Sequence, residues 1–182
     1  YIDVDLYDEY GVKRGLRDKN GKGVLAGLTT ISEIIAFKEV DGERIPCAGK
    51  LSYRGINVID LISGRGDNRF GFEEATYLLL FGKLPTKAEL DKFTQVLACM
   101  RSLPTNFTRD IIMKAHTKDI MNSLTRSVLA LAAYDENASD ISVENVLNQC
   151  LRLISCFPAI SVYAYHAYNH IECNDSLYIH RP

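Results

Sequence analysis

From Phe72 to His170 the chain repeats one cycle: apolar residues at helical spacing, then a residue that stops a helix. Such a chain can bury its apolar faces only by packing helix on helix, so the expectation is a mainly α fold. FEEATYLLLFG opens with Glu73 and Glu74, where acids favour the positive end of the helix dipole, and closes on Gly82 as a C-cap. Pro85-Thr86 opens the next helix, and Thr86 and Glu89 have the T-x-x-E spacing of a capping box. Leu90, Phe93, Leu97 and Met100 then make one apolar stripe, ended by Pro104. Thr108 is expected to cap IIMKAH. TKDIMNSLTRSVLALAAY follows, apolar almost all round in its last half, which predicts burial between other helices. After the polar loop DENASDIS comes a helix with Val143, Val146, Leu147, Cys150, Leu151 and Ile154 on one face. Pro158 should break or kink it before AISVYAYHAYNH continues, and the tail ECNDSLYIHRP shows no period.

The first part of the chain has another texture. Asp3 is placed to cap a short helix carrying Val4, Leu6 and Tyr7 and stopping at Gly11. A charged connector follows, so residues 1–30 read as a short helix plus connector and residues 31–182 as the main body. Gly21, Gly23 and Gly27 raise the question of a phosphate loop. No apolar strand leads into them, their G-x-G-x-x-x-G spacing is one residue too long, and no Lys-Ser/Thr pair accompanies them. Asp18-Lys19-Asn20-Gly21 has instead the composition of a tight turn. Between Ile31 and Val58 short β-prone runs flank Asp41-Gly42, a strong hairpin signal, and predict a small antiparallel β element near residues 34–58. IDLI then makes a helical turn closed by SGRG. The count is about six helices and one hairpin, with no internal repeat.

Composition excludes several classes. The net charge is −2 and no Lys/Arg run exceeds two residues, so a nucleic-acid surface is not expected. Apolar runs such as VLALAAY are too short to cross a bilayer, and the acidic YIDVDLYDEY has no signal-peptide character, which points to the cytoplasm. The five cysteines (47, 99, 150, 156, 173) lack C-x-x-C spacing and read as reduced, mostly buried thiols. His166 and His170 are spaced i, i+4 but lack the glutamate and third ligand of a zinc site, so no metal is assigned.

Three motifs say more. GVLAGLTTISEI, GKLSYRGINVIDL and FEEATYLLLFGKLPTKAELDKF, in that order, resemble the N-terminal part of citrate synthases, with Arg54-Gly55 and Gly82–Leu84–Pro85–Thr86 the most specific residues. HTKDIMNSLTRSVLALAAYD is similar to the family's His-Pro-Met-Asp helix, although Thr117 and Lys118 stand where Pro and Met are common. The likeness implies part of the large helical domain, with the glycines as a lead-in turn before the β element. Arg54 could be tied to a carboxylate or carbonyls, or could bind an anion, the fold role being the stronger reading. Gly82-x-Leu-Pro-Thr reads as a helix junction, and Glu73-Glu74 as dipole partners rather than a catalytic pair.

The resemblance implies a condensation of acetyl-CoA with oxaloacetate, then hydrolysis of citryl-CoA to citrate and CoA. The family's His-Glu-x-Asn-x-Ser-Thr-like, His-Gly-Gly-Ala and Gly-His-x-x-Tyr stretches do not occur in residues 1–182. No catalytic, cofactor-binding or metal role is therefore assigned to His116, His166, His170, His180 or any other residue. The expectation is an N-terminal fragment of a citrate synthase, inactive alone, from an enzyme that works as a homodimer without a cofactor beyond acetyl-CoA as substrate. Such a fragment should expose an apolar face and either oligomerise or be poorly soluble. The alternatives are a fragment of 2-methylcitrate synthase, which uses propionyl-CoA, and a stand-alone helical interaction module.

Overall fold

A computed structural model describes residues 2–63 and 71–178. They group into two compact units, Tyr1–Leu90 and Asp91–Pro182. In the first, α1 (Asp5–Glu9) follows Asp3, whose carboxylate accepts the Asp5 amide at 3.2 Å. The residue next to the helix is Val4, already helical and without a side-chain cap, so Asp3 sits one place further out than an N-cap. Gly11, at φ +58°, ends the turn. The connector folds back on itself: the Lys13 amide donates to the Leu25 carbonyl (2.8 Å) and Arg17 bridges Gly23. Asp18–Lys22 is the tight turn its composition implies, with Gly21 at φ +77°. A strand, not a helix, follows these glycines.

That strand, β1 (Ser32–Val40), pairs antiparallel with β2 (Glu43–Tyr53), which pairs with β3 (Ile56–Asn57), in the order β1-β2-β3. Both connections are two-residue turns with left-handed residues, Asp41-Gly42 (φ +53°, +80°) and Arg54-Gly55 (φ +48°, +82°). This is the type I′ geometry whose twist matches that of the strands. Between the pairs Ile35↔Lys50 and Phe37↔Pro46, β1 advances two residues and β2 four, a bulge around Ala48. The IDLI turn forms α2 (Val58–Ser63), and its expected SGRG closure runs outside the described residues. α3 (Gly71–Phe81) ends as expected at Gly82, at φ +80°, whose amide donates to the Leu78 carbonyl (2.9 Å).

α4 (Lys87–Cys99) spans the division between the units, with Leu90, Phe93 and Leu97 buried along one stripe. Its capping box is complete: the Glu89 amide donates to the Thr86 hydroxyl (3.3 Å) and the Thr86 amide to the Glu89 carboxylate (2.8 Å).

The second unit departs from expectation in three places. Thr108 is not a cap but the first residue of a π-helix, Thr108–Met113, because the chain turns earlier, with Asn106 at φ +63° and Phe107 already helical. The wider turn lets the Lys114 amide reach the Arg109 carbonyl (3.1 Å), while Phe107 and Ile112 are each only 1% exposed. Second, α5 (Ile120–Ala132), capped by Asp119, is buried on one side only. Its inner line is Ser123, Ser127 and Leu131, whereas Met121 and Leu129 are 68% and 70% exposed. Ser127 can lie inside because its hydroxyl donates to the Ser123 carbonyl (2.8 Å) and its small side chain allows close approach.

Third, α6 (Val143–Glu172) is one helix of 30 residues, running through Pro158 without interruption. Of the face expected over its first turns only Leu151 is buried; Val143 is 85% exposed. The buried line lies further on, from Cys156 and Ile160 to Tyr163, Ala164 and Ala167, and joins Phe107, Ile112 and Leu131 in the core of this unit. With a mean hydropathy of 1.2 in its most apolar stretch, α6 has the length and composition to cross a membrane, which its run lengths did not suggest; here it carries that core.

Candidate functional site

The most specific motif residue, Arg54, is placed by the turn between β2 and β3. Its backbone amide donates to the Ile31 carbonyl (2.8 Å), and its guanidinium Nη2 donates to the Leu79 carbonyl in the last turn of α3 (2.8 Å). The last carbonyls of a helix have no donor within it and carry the negative end of its dipole, so a guanidinium satisfies one of them with favourable charge. Arg54 Nε is buried with no partner among the described residues. Together with Gly82, Arg54 closes the end of α3 and ties the small sheet to it. The geometry is that of the fold anchor.

The other motif residues do structural work of the same kind. Glu73 and Glu74 stand in the first turn of α3, as dipole partners would. At the junction between α3 and α4, Lys83 bridges Glu89 (2.8 Å). That hydrogen bond, with those from the Thr86 amide and hydroxyl, holds the Glu89 carboxyl at about 2, well below its usual 4.5, and raises the Lys83 ammonium in return.

The histidines are not brought to one place. His116 lies 3.5 Å from the Glu172 carboxylate, which also pairs with Lys118 (3.2 Å). His170 Nδ1 bonds the Asp175 carbonyl (2.8 Å), and His166 lies against the Tyr178 ring. His180 lies outside the described residues. Among the described residues no three His, Cys, Asp or Glu side chains gather to hold a metal. The cysteines are free, as expected, but only Cys156 is buried; Cys47 and Cys150 are half-buried and Cys99 and Cys173 exposed. Burial pushes the Cys156 thiol up, and its Sγ contacts the Met100 carbonyl (3.3 Å).

One concavity in the second unit went unnoticed in the sequence. Between the end of α5 and the first half of α6 lies a cavity of about 180 Å³, floored by Val128, Leu131 and Leu153 and edged by Asp135, Gln149 and Arg152. Its one sequence signal is the pair Gln149 and Arg152, polar residues i, i+3 within the apolar run of α6.

Comparison with known proteins bears on the whole arrangement. The family model described as "Citrate synthase, C-terminal domain" matches residues 16–181. The citrate synthase of Saccharolobus solfataricus is 36% identical over 98 residues, covering 54% of this chain and 24% of that protein. The 2-methylcitrate synthase of Shewanella oneidensis is 32% identical over 119 residues, covering 63% and 28%. The chain thus spans about a quarter of the length of these curated relatives. Among solved structures, the citrate synthase of Pyrobaculum aerophilum superimposes with a TM-score of 0.65 at 26% identity, over 94% of this chain and 42% of that one. With its motifs in family order and its fold shared with that enzyme, the chain belongs to the citrate synthase family.

Proposed function

We propose that this chain is the N-terminal part of the helical domain of a citrate synthase, which as a whole enzyme condenses acetyl-CoA with oxaloacetate to give citrate and CoA. The observation that carries the reading is the extent of the family match, residues 16–181, which takes in the sheet, the Arg54 turn, the α3–α4 junction and α6. The chain's share is a scaffold: Arg54 and Gly82 finish α3, the Thr86–Glu89 box starts α4, and α6 is the spine of the second unit. The condensation needs a base beside a weak carbon acid, donors aimed at the developing enolate oxygen, and cations for a dicarboxylate. Those groups belong to the remainder of the enzyme in this reading, and the chain alone is inactive. The outward residues of α5, Met121 and Leu129, support the homodimer as the working form.

The test is release of free CoA thiol from acetyl-CoA and oxaloacetate, by the chain alone and by the complete reading frame. Release by the complete protein only is the expected result; turnover by the chain alone, or none by either, overturns it. The Shewanella oneidensis relative supports a second reading, 2-methylcitrate synthesis from propionyl-CoA. One methylene separates the substrates by about 1–3 kcal/mol, so the ratio of kcat/KM for acetyl-CoA over propionyl-CoA decides between the two.

A further inference from the structure

The cavity between α5 and α6 offers both charges that a zwitterion carries. Arg152 lines it and makes no hydrogen bond or ion pair among the described residues. Asp135, just past the C-terminal end of α5, lines it too. One carboxylate oxygen of Asp135 accepts the Asn137 amide (3.0 Å) and the other the Gln149 Nε2 (2.9 Å), which fixes the group and leaves lone pairs open. Gln149 and Arg152 lie on one face of α6, about 4.5 Å apart along its axis. The acid and the guanidinium therefore line one concavity without forming an ion pair with each other.

Each charge selects a different ligand group. The carbonyl end of α5 adds negative potential beside Asp135 and favours an ammonium there, while a free guanidinium favours a carboxylate. A simple carboxylic acid would meet Asp135 unpaired, and a simple amine would meet Arg152 unpaired. A molecule bearing both groups, with a hydrocarbon side chain for the Val128–Leu131–Leu153 floor, meets neither cost. The volume of 180 Å³, shared by the charged groups and the side chain, sets the size of the whole molecule, since a cavity of about 150 Å³ already admits a benzene ring. We propose that this cavity is a binding site for an apolar α-amino acid of about the size of leucine. The site is independent of the condensation proposed above.

The experiment is a titration of the 182-residue chain followed by amide NMR shifts, using L-leucine, 4-methylpentanoate (leucine without its amine) and 3-methylbutylamine (leucine without its carboxylate). Leucine is expected to bind saturably and to move the amides of 132–135 and 149–153. Each analogue is expected to bind at least about tenfold more weakly. Arg152→Ala should reduce leucine to the affinity of the amine and leave the amine unchanged. Leucine that does not saturate, or an analogue that equals it, overturns the proposal, and the analogue arm decides even where the variant fails to fold.

Discussion

Truncating Arg54 separates a fold anchor from an anion ligand. In Arg54→Ala the Leu79 carbonyl loses an ionised donor at 2.8 Å, a hydrogen bond worth about 1.5–3 kcal/mol, and the helix end loses a cation worth about 0.3–1 kcal/mol. Against this, the substitution also removes Nε, the buried donor without an acceptor, whose desolvation costs about 1–3 kcal/mol. The net loss expected is about 1 kcal/mol, roughly fivefold in the local opening equilibrium. Arg54→Lys keeps the cation, drops the orphaned Nε and should stay near the parent. Amide hydrogen exchange reads the opening of α3 apart from that of α6. Residues 71–82 should lose about fivefold protection in Arg54→Ala, with α6 unchanged. Unaltered protection of α3 in Arg54→Ala would refute the anchor. If the complete enzyme then lost substrate affinity, the guanidinium would be an anion ligand after all.

Three further outcomes follow from burial and charge. Ile160→Ala, at a position 0% exposed, should cost about 2–5 kcal/mol in urea unfolding, whereas Leu129→Ala, 70% exposed, should stay within about 0.5 kcal/mol. Glu89 has a folded value lowered from 4.5 to about 2, so its contribution is present above pH 4.5 and lost as the pH falls towards 2. A carboxyl NMR titration should find it ionised at about pH 3, and Glu89→Gln should remove the acid sensitivity of the first turn of α4 in that window. With a thiol reagent at neutral pH, exposed Cys99 and Cys173 should react first and Cys156 last, since burial both shields its thiol and keeps it protonated. Labelling of Cys156 at the rate of Cys99 would contradict its place in the core.

What could be read from the sequence was local. Asp41-Gly42 allows few backbone alternatives, and the Thr86–Glu89 box and Gly82 act within one helical turn, so all three appear where their residue types place them. Long-range partners left weaker traces. Arg54 could be read as tied to some carbonyl, but its partner Leu79 is 25 residues away on another element. All-round burial, expected for the last half of α5, fails on one side: hydrophobicity alone ranks Leu129 above Ser127, while close helix packing selects the smaller residue. Pro158 argued for a break or a kink, and the break does not occur: one lost N–H is a small part of a helix whose next residues, Ile160 to Ala167, are anchored in a core. The cavity beside Arg152 needs two helices and the loop between them, and the polar pair Gln149 and Arg152 is its one trace in the sequence.

The three-stranded sheet joins only strands that are neighbours in the chain, through two-residue turns. Hairpins of that kind close in about 1–10 μs, far faster than a ribosome adds a residue. The sheet can therefore be complete before α3 has emerged to meet it. Its tether, the Leu79 carbonyl, is made 25 residues after Arg54, which at about 5–20 residues per second is a delay of roughly 1–5 s. Through that interval, as in the folded chain, β1 stands at the edge of the sheet, and Glu33, Lys38 and Glu39 along it are charges that oppose pairing with a neighbouring ribbon on the same messenger.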